Sequence, residues 1–237
     1  MSTYVLVHGA WHGGWCWDKV IPLLEKEGHR VEVYDLPGHG KDNTPISEVT
    51  LQAYADSVCK ILDAQSEPVF LVGHSMGGVV ITQAAEYRPE KIKTLVYLAA
   101  YMLQNGESIA PVTQGDTGSF LVSNIIFADD MSYVTVRDEA VKESFYGDCS
   151  DEDVVWAASM LVRQALAPFT TPVDTSEEHF GRIPRVYIEC LRDRTISPSL
   201  QKEMYTALPC ERVISLDTSH SSFLSEPAKL VAHLTSL

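Results

Sequence analysis

The sequence predicts an α/β fold, in which helices cover both faces of a parallel sheet. Short apolar strands alternate with helical segments along the first hundred residues, and this alternation returns after residue 181. Between them it lapses, so we expect a core of residues 1–100 and 182–237 and an inserted, mostly helical cap of residues 101–181. A chain of 237 residues with 45% hydrophobic residues is long enough to bury such a core as one domain.

The first part of the core contains four predicted strands, each a short apolar run, at residues 4–7, 31–34, 69–72 and 93–100. Three helical segments separate them. The first closes with Gly28, a typical residue after a helix end. The second begins at Leu51 and repeats apolar residues at helical spacing, and the third follows Ser75 and is stopped by Pro89.

The rest of the chain has a weaker pattern and then a clear one. Within the expected cap, residues 132–136 resemble a strand, and residues 139–146 and 151–166 resemble helices. After the cap, the pattern predicts strands at 185–190 and 212–216 and helices near 198–208 and 227–234.

The charge balance limits the partners that the protein can bind. The net charge is -14 and the sequence pI is about 4.9, whereas phosphate backbones and anionic membranes attract Lys and Arg. We therefore expect neither nucleic acid nor a membrane as a partner. Much of the excess acid lies between residues 129 and 153 without the spacing of a metal-binding loop, which favours a solvated face and no metal site.

The cysteines and the hydropathy pattern indicate a compartment. Five scattered cysteines include no CxxC pair, which argues against zinc and against a disulfide framework and favours reduced thiols. The N-terminus lacks a basic segment followed by a long apolar one, and no run of 18 apolar residues occurs. From these observations we expect a cytoplasmic protein.

The candidate nucleophile is Ser75, in the stretch Gly-His-Ser-Met-Gly of residues 73–77. This pattern matches G-x-S-x-G, in which a strained turn between a strand and a helix projects the serine hydroxyl above the sheet edge. Here an apolar strand precedes the motif and a helix follows it, so a glycine-rich turn with an idle serine is the less favoured interpretation.

A serine nucleophile needs a base, and the base needs an orienting acid. His220 lies in the loop between the last predicted strand and the last helix, whereas His233 lies within that helix and His179 at the end of the cap. Asp193 follows a predicted strand at the same sheet edge, and its rival Asp217 is close to His220 in sequence. The order Ser75, Asp193, His220 is the order expected for this elbow.

The oxyanion of an acyl-transfer intermediate needs backbone N–H donors. We expect one from Met76, which follows the nucleophile, and one from Ala10, in the loop after the first strand. In that loop His12 and Trp11 are candidate substrate contacts, and Trp156 is a candidate pocket wall, although a loop histidine is as often structural and a buried tryptophan is more often plain core.

Five stretches resemble the α/β-hydrolase superfamily, and within it the branch of plant methylesterases, hydroxynitrile lyases and related bacterial esterases. They extend over nearly the whole chain outside the middle of the cap: VLVHGAWHGGWCW, YDLPGHG, LVGHSMGG, FGRIPRVYIECLRDRTISPSLQ and TSHSSFLSEP. The resemblance implies about six parallel strands, a triad of Ser75, Asp193 and His220, an oxyanion hole of Ala10 and Met76, and a cap above a mostly apolar pocket.

Two departures from the lyases favour ester hydrolysis. Hydroxynitrile lyases of this branch carry a lysine after the catalytic histidine and a threonine in the oxyanion loop, and here those positions are Ser221 and Ala10. The expected protein is therefore a serine carboxylesterase that needs no cofactor and hydrolyses small, largely apolar carboxylic esters. A lyase, a lactonase, a haloperoxidase-like enzyme and a low-turnover receptor for a small ligand are the alternatives, and a homodimer is compatible with the sequence.

Overall fold

A computed structural model describes residues 1–237. Its nine strands are β1 (Thr3–Val7), β2 (Arg30–Val33), β3 (Val69–His74), β4 (Ile92–Leu98), β5 (Ile125–Phe127), β6 (Tyr133–Val136), β7 (Gln164–Ala165), β8 (Arg185–Cys190) and β9 (Arg212–Leu216). Its ten α-helices are α1 (Ile21–Lys26), α2 (Leu51–Asp63), α3 (Gly77–Tyr87), α4 (Ile109–Gln114), α5 (Val141–Phe145), α6 (Asp151–Met160), α7 (Ala167–Thr170), α8 (Pro198–Ala207), α9 (Ser222–Ser225) and α10 (Pro227–Thr235). Six short 3-10 helices complete the secondary structure: Gly14–Trp17, Ile46–Glu48, Pro89–Lys91, Val122–Asn124, Asp138–Ala140 and Phe180–Arg182.

The main sheet has six strands in the order β2-β1-β3-β4-β8-β9, and every neighbouring pair is parallel. All six residues of β3 are buried, so both of its faces are covered. A parallel strand covered on both faces reads as a continuous apolar run, which is why these strands are visible in the sequence. The predicted α/β fold class is confirmed.

Local signals fix several helix ends. Thr50 caps α2, since its side-chain oxygen accepts a hydrogen bond from the N–H of Ala53 at 3.0 Å. Gly28 has a φ of +82° just after α1, a conformation that glycine adopts without strain. Helix α3 ends two residues before Pro89, as the sequence predicts.

Residues 101–181, which we call the cap segment, contain more strand than the sequence predicts. The pattern gives one strand near 132–136 and a helix through 166, whereas α6 ends at Met160 and three strands form an antiparallel sheet in the order β5-β6-β7. Strand β7 has two residues, and Gln164 and Ala165 pair with Val134 and Tyr133 of β6. So short a strand has no periodicity of its own and exists only because its partner is present.

One hydrophobic core extends from the sheet into the cap segment, and it includes Val72 and Leu98 of the sheet as well as Phe145 and Phe169 of the cap segment. All five cysteines are free thiols. None of the helices combines the length and the apolarity that a bilayer span requires.

Candidate active site

Ser75 lies in the turn between β3 and α3. Its φ of +55° is in the left-handed region, which costs a non-glycine residue on the order of 1 kcal/mol or more. Three backbone hydrogen bonds hold the turn. The Ser75 N–H donates to the Leu98 carbonyl at 3.3 Å, and the Ser75 carbonyl accepts from the N–H groups of Tyr101 at 3.1 Å and Gly78 at 3.0 Å. The residue is 6% exposed and lines a cavity, so this strained turn presents the hydroxyl to open space.

The two motif glycines allow this turn to pack closely. A Cβ atom on Gly73 would lie 2.7 Å from the carbonyl oxygen of Gly77. A Cβ atom on Gly77 would lie 2.8 Å from the carbonyl oxygens of Val7 and His8. Both distances are shorter than contacts between such atoms allow. A side chain at position 73 would therefore push β3 away from the start of α3, and one at position 77 would push α3 away from the end of β1.

His220 and Asp193 form a buried hydrogen-bonded pair at the carboxyl edge of the sheet. The Nδ1 of His220 lies 2.7 Å from the Oδ2 of Asp193, and the two side chains are 1% and 0% exposed. The backbone N–H groups of Thr195 and Ile196 donate to Asp193 Oδ1 at 2.7 and 3.0 Å, and the Gln201 side chain donates to Oδ2 at 3.2 Å. Four donors therefore fix this carboxylate, and the Nε2 of His220 has no hydrogen bond to the protein.

His74, the last residue of β3 and the one before Ser75, connects this strand to the loop of His220. Its Nε2–H donates to the carbonyl oxygen of His220 at 3.0 Å, and the two imidazole rings are 4.5 Å apart. Burial, and secondarily the nearby His220, lower the pKa of His74 well below its ordinary range, so the ring is neutral. The motif leaves this position unspecified, and the sequence therefore gives no signal of the contact.

Asp217, the other candidate acid, pairs with Arg192 and not with His220. Its side chain is 79% exposed and pairs with Arg192, whose Nε lies 3.0 Å from its Oδ1. Of the two candidate acids, the structure brings only Asp193 to His220.

Ala10 and Met76, whose backbone N–H groups are the expected oxyanion donors, line the cavity together with Ser75. Neither N–H group forms a hydrogen bond within the protein, and buried donors of this kind need a partner. The Gly9 carbonyl belongs to the same peptide unit as the Ala10 N–H and accepts a hydrogen bond from His8 Nδ1 at 2.8 Å. Since the Leu36 N–H donates to His8 Nε2 at 3.0 Å, the His8 tautomer is fixed, and with it the orientation of this peptide.

His12 lies behind the loop and not in the cavity, so the structure does not support its predicted substrate contact. Its Nδ1–H donates to the Ala10 carbonyl at 2.8 Å, and the Tyr146 hydroxyl donates to its Nε2 at 2.7 Å. Burial lowers its pKa to about 3, which keeps the ring neutral. Both ring nitrogens are occupied, and the residue fixes the loop.

The two predicted tryptophan contacts have different positions. Trp11 lines the cavity, and its indole N–H donates to the Val134 carbonyl at 3.1 Å. Trp156 is half-buried outside the cavity, where it packs edge-on against Trp15 with ring centroids 5.1 Å apart. The structure therefore does not bring Trp156 to the site, because α6 turns that side chain toward the 3-10 helix after β1.

Asp148, in the cap segment, joins the two loops that carry His220 and Asp193. It accepts hydrogen bonds from the N–H of Ser219 at 3.0 Å and from the Ser219 hydroxyl, and it pairs with Arg192 at 3.3 Å. These two partners immediately precede His220 and Asp193. The sequence pattern assigns this acidic stretch to a solvated face, which holds for most of its residues but not for Asp148, whose side chain is 12% exposed.

The cavity above Ser75 has a volume of about 340 Å³ and is mostly apolar. Hydrophobic residues make up 14 of its 19 lining residues, and none of the 19 carries a charge. The remaining five are Ser75, Thr113, Gln114, Thr170 and Thr195. No group of three or more His, Cys, Asp and Glu side chains could hold a metal ion. Ser75, Ala10 and Met76 line this cavity, whereas the His220 imidazole is not among the lining residues and is oriented by Asp193. A hydroxyl, an oriented imidazole and free N–H donors are the groups that acyl transfer requires.

Three features together define an α/β hydrolase: the strand order of the main sheet, the strained turn at Ser75, and the cap segment between β4 and β8. The chain matches the alpha/beta hydrolase family over residues 4–234 and belongs to that family, which confirms the predicted membership.

Individual relatives come from the branch that the sequence resembles. The chain is 32% identical over 249 residues to Methylesterase 9 of Arabidopsis thaliana, covering 99% of this chain and 97% of the relative. It is also 32% identical over 242 residues to Putative methylesterase 11, chloroplastic, of the same plant, covering 97% of this chain but only 62% of that longer protein. Among solved structures, a pyrethroid hydrolase from Sphingobium faniae JZ-2 has a TM-score of 0.88 at 32% identity, covering 99% of this chain and 96% of that one.

Proposed function

We propose that the protein is a serine carboxylesterase that hydrolyses largely apolar carboxylic esters through an acyl-enzyme. The observation that carries this proposal is the buried hydrogen bond of 2.7 Å between His220 and Asp193, next to the strained serine turn. In this proposal residues 1–100 and 182–237 form the catalytic core, and the cap segment covers the pocket. The methylesterase and pyrethroid hydrolase names of the relatives support the same class of reaction.

The first half of the proposed reaction acylates the enzyme. The Oγ of Ser75 attacks the ester carbonyl carbon while the Nε2 of His220 takes its proton, and Asp193 stabilises the resulting imidazolium. The negative oxygen of the tetrahedral intermediate accepts hydrogen bonds from the N–H groups of Ala10 and Met76. When the intermediate collapses, the bond to the alcohol oxygen breaks, and the Nε2–H of His220 protonates the leaving alcohol.

The second half releases the acid. A water molecule attacks the acyl carbon of the ester on Ser75 while His220 takes its proton. Collapse of the second tetrahedral intermediate returns the proton to Ser75 Oγ and frees the carboxylic acid. Each proton taken is returned, and the sequence of steps uses no cofactor.

Two positions argue for hydrolysis and against cyanohydrin cleavage. Ser221, which follows the proposed base, is fully buried with no hydrogen-bond partner for its hydroxyl, so no cation stands there to receive cyanide. Ala10 offers no hydroxyl in the oxyanion loop. A cyanide leaving group would therefore depart without electrostatic support.

The test is hydrolysis of 4-nitrophenyl acetate by the wild type and by Ser75→Ala. We expect the variant to lose about 10⁴-fold or more in kcat, as removal of a triad nucleophile does. Ser225→Ala is the matched control, because that hydroxyl lies in α9 outside the cavity and has no hydrogen-bond partner that the substitution would remove. An unchanged rate in Ser75→Ala would overturn the triad, and faster turnover of mandelonitrile than of any ester would favour the lyase.

A further inference from the structure

The cavity above Ser75 opens between apolar side chains at the tip of the β5–β6 hairpin. Phe127 and Met131 both line the cavity, and they are 51% and 53% exposed. Ser75 is only 6% exposed. Residues that line a cavity and are half exposed lie at its opening. The exposed polar residues Gln114 and Thr170 also lie there, and Phe127 and Met131 form the apolar part of the mouth. We call these two residues the apolar rim.

Successive side chains of β5 point to opposite faces of the sheet, and this alternation places Phe127 on the cavity side. Phe127 pairs with Val134 across the antiparallel ladder, and both line the cavity, as does Ile125 two residues earlier. Ile126 lies between them on the opposite face of β5, is 43% exposed and does not line the cavity. The hairpin thus supplies a rim residue and, beside it, an apolar residue of similar exposure that faces away.

The turn of the hairpin holds Met131 in a defined position. Met131 has a φ of +58°, which a residue with a side chain seldom adopts. Its N–H donates to the Ala128 carbonyl at 2.9 Å, and the N–H of Ser132 donates to Asp130 Oδ1 at 3.0 Å. Because these bonds fix the turn, the apolar rim is a formed part of the fold before any ligand binds.

The interior of the cavity suits an uncharged group. None of its lining residues is charged, and protein groups already occupy two of its hydroxyls. The Thr113 hydroxyl is 2.8 Å from the Tyr101 hydroxyl, and the Thr195 hydroxyl donates to the Ser144 carbonyl at 2.7 Å. A carboxylate or ammonium group placed here would lose its hydration without gaining an ionic partner.

We infer that the substrates are esters with an uncharged apolar substituent long enough to extend from Ser75 to the apolar rim and to cover Phe127 and Met131. This inference rests on the proposed esterase function and narrows its substrates from largely apolar esters in general to those with one extended apolar group. Such a group removes the exposed surface of the rim from water, which a short ester cannot do. The rim therefore determines substrate length.

The experiment compares kcat/KM for two series of neutral esters. One varies the acyl chain of 4-nitrophenyl esters from acetate to octanoate, and the other varies the alcohol of phenylacetate esters from methyl to octyl. The test variant is Phe127→Ala/Met131→Asn, since asparagine tolerates the positive φ of position 131. Ile126→Ala is the matched control from the same strand.

We expect the ratio of kcat/KM for the longest and the shortest ester to fall about tenfold in the double variant in at least one series. In Ile126→Ala both series should match the wild type. An unchanged long-to-short ratio of kcat/KM in the double variant, or an equal fall of that ratio in Ile126→Ala, would overturn the inference. The proposed function would still stand in that case if the short esters were hydrolysed in a Ser75-dependent way. Absence of Ser75-dependent hydrolysis with every ester would overturn the proposed function itself.

Discussion

The floor and the mouth of the cavity are built in different ways. At the floor, hydrogen bonds fix the groups that orient the catalytic residues: Asp193 has four donors, and His8 and His12 each have both ring nitrogens occupied. At the mouth, Phe127 and Met131 lie half in water with few polar contacts. This difference separates a chemical step that needs fixed geometry from a binding step that needs apolar area.

The largest effect should come from the acid at the floor. Asp193→Asn should lower kcat for 4-nitrophenyl acetate by about 10⁴-fold, because the amide would hold His220 in the wrong tautomer. Asp217→Asn is the control, since that exposed carboxylate pairs with Arg192 and not with His220. Equal losses in the two variants would remove the distinction between the two acids.

A smaller loss of kcat should follow when Asp148, which links the cap segment to the floor of the cavity, is replaced. Asp148→Ala removes the acceptor for Ser219 and the partner of Arg192, and the loops of His220 and Asp193 then lose a common anchor. We expect kcat to fall about ten- to a hundredfold with little change in KM, since small displacements of catalytic groups are costly.

Asp151→Ala is the matched control for that measurement. Asp151 also lies in the cap segment and pairs with Lys142, but its side chain is 89% exposed. If Asp148→Ala raised KM and left kcat unchanged, the residue would shape the pocket and not the catalytic loops.

The buried histidines of the floor should make stability depend on pH. His12 has a pKa of about 3 in the folded protein and about 6.5 when unfolded, so between about pH 3 and pH 6.5 only the unfolded chain takes up this proton. The free energy of unfolding should therefore fall as pH falls, by about 1.4 kcal/mol per pH unit from this residue.

Urea unfolding at pH 7.5, 6.0 and 5.0 measures this dependence. His12→Gln should have a smaller pH slope than the wild type, because the substitution removes the titrating imidazole. Identical slopes for His12→Gln and the wild type would show that His12 is not held neutral in the fold.

The smallest change in kcat/KM should distinguish Trp11 from Trp156, the two tryptophans that the sequence nominates as pocket residues. Trp156→Phe should leave kcat/KM within about twofold of the wild type, because this ring packs on Trp15 outside the cavity. Trp11→Phe should change kcat/KM more, since it alters a cavity wall and removes the hydrogen bond to Val134. The reverse order would mean that the pocket extends to Trp156 when substrate is bound.

The same contrast explains how much the sequence could predict. Strands β8 and β9 and helices α8 and α10 were predictable because buried parallel strands and amphipathic helices carry their pattern locally. Ser75, Asp193 and His220 could be nominated because the motif and the chain order restrict the candidates. Strand β7, whose existence depends on its pairing with β6, could not be predicted.

Two polar contacts of the floor escaped prediction for the same physical reason. His74 and Asp148 act through partners that are 146 and 71 residues away in the chain, at His220 and Ser219. Such contacts depend on tertiary structure and leave no mark on local composition. His12 and Trp156, which the sequence nominates as substrate contacts, do not line the cavity, since a position in the sequence does not determine which side a ring faces.

The most direct test of the proposed mechanism is covalent capture of the nucleophile. A fluorophosphonate reacts only with a serine activated by a base and oriented toward oxyanion donors. Mass spectrometry of the digested wild-type protein should locate one adduct on Ser75, and Ser75→Ala and Asp193→Asn should show slow or no labelling at any site. Labelling of a different serine, or equal labelling of Ser75 in Asp193→Asn, would contradict the proposed triad.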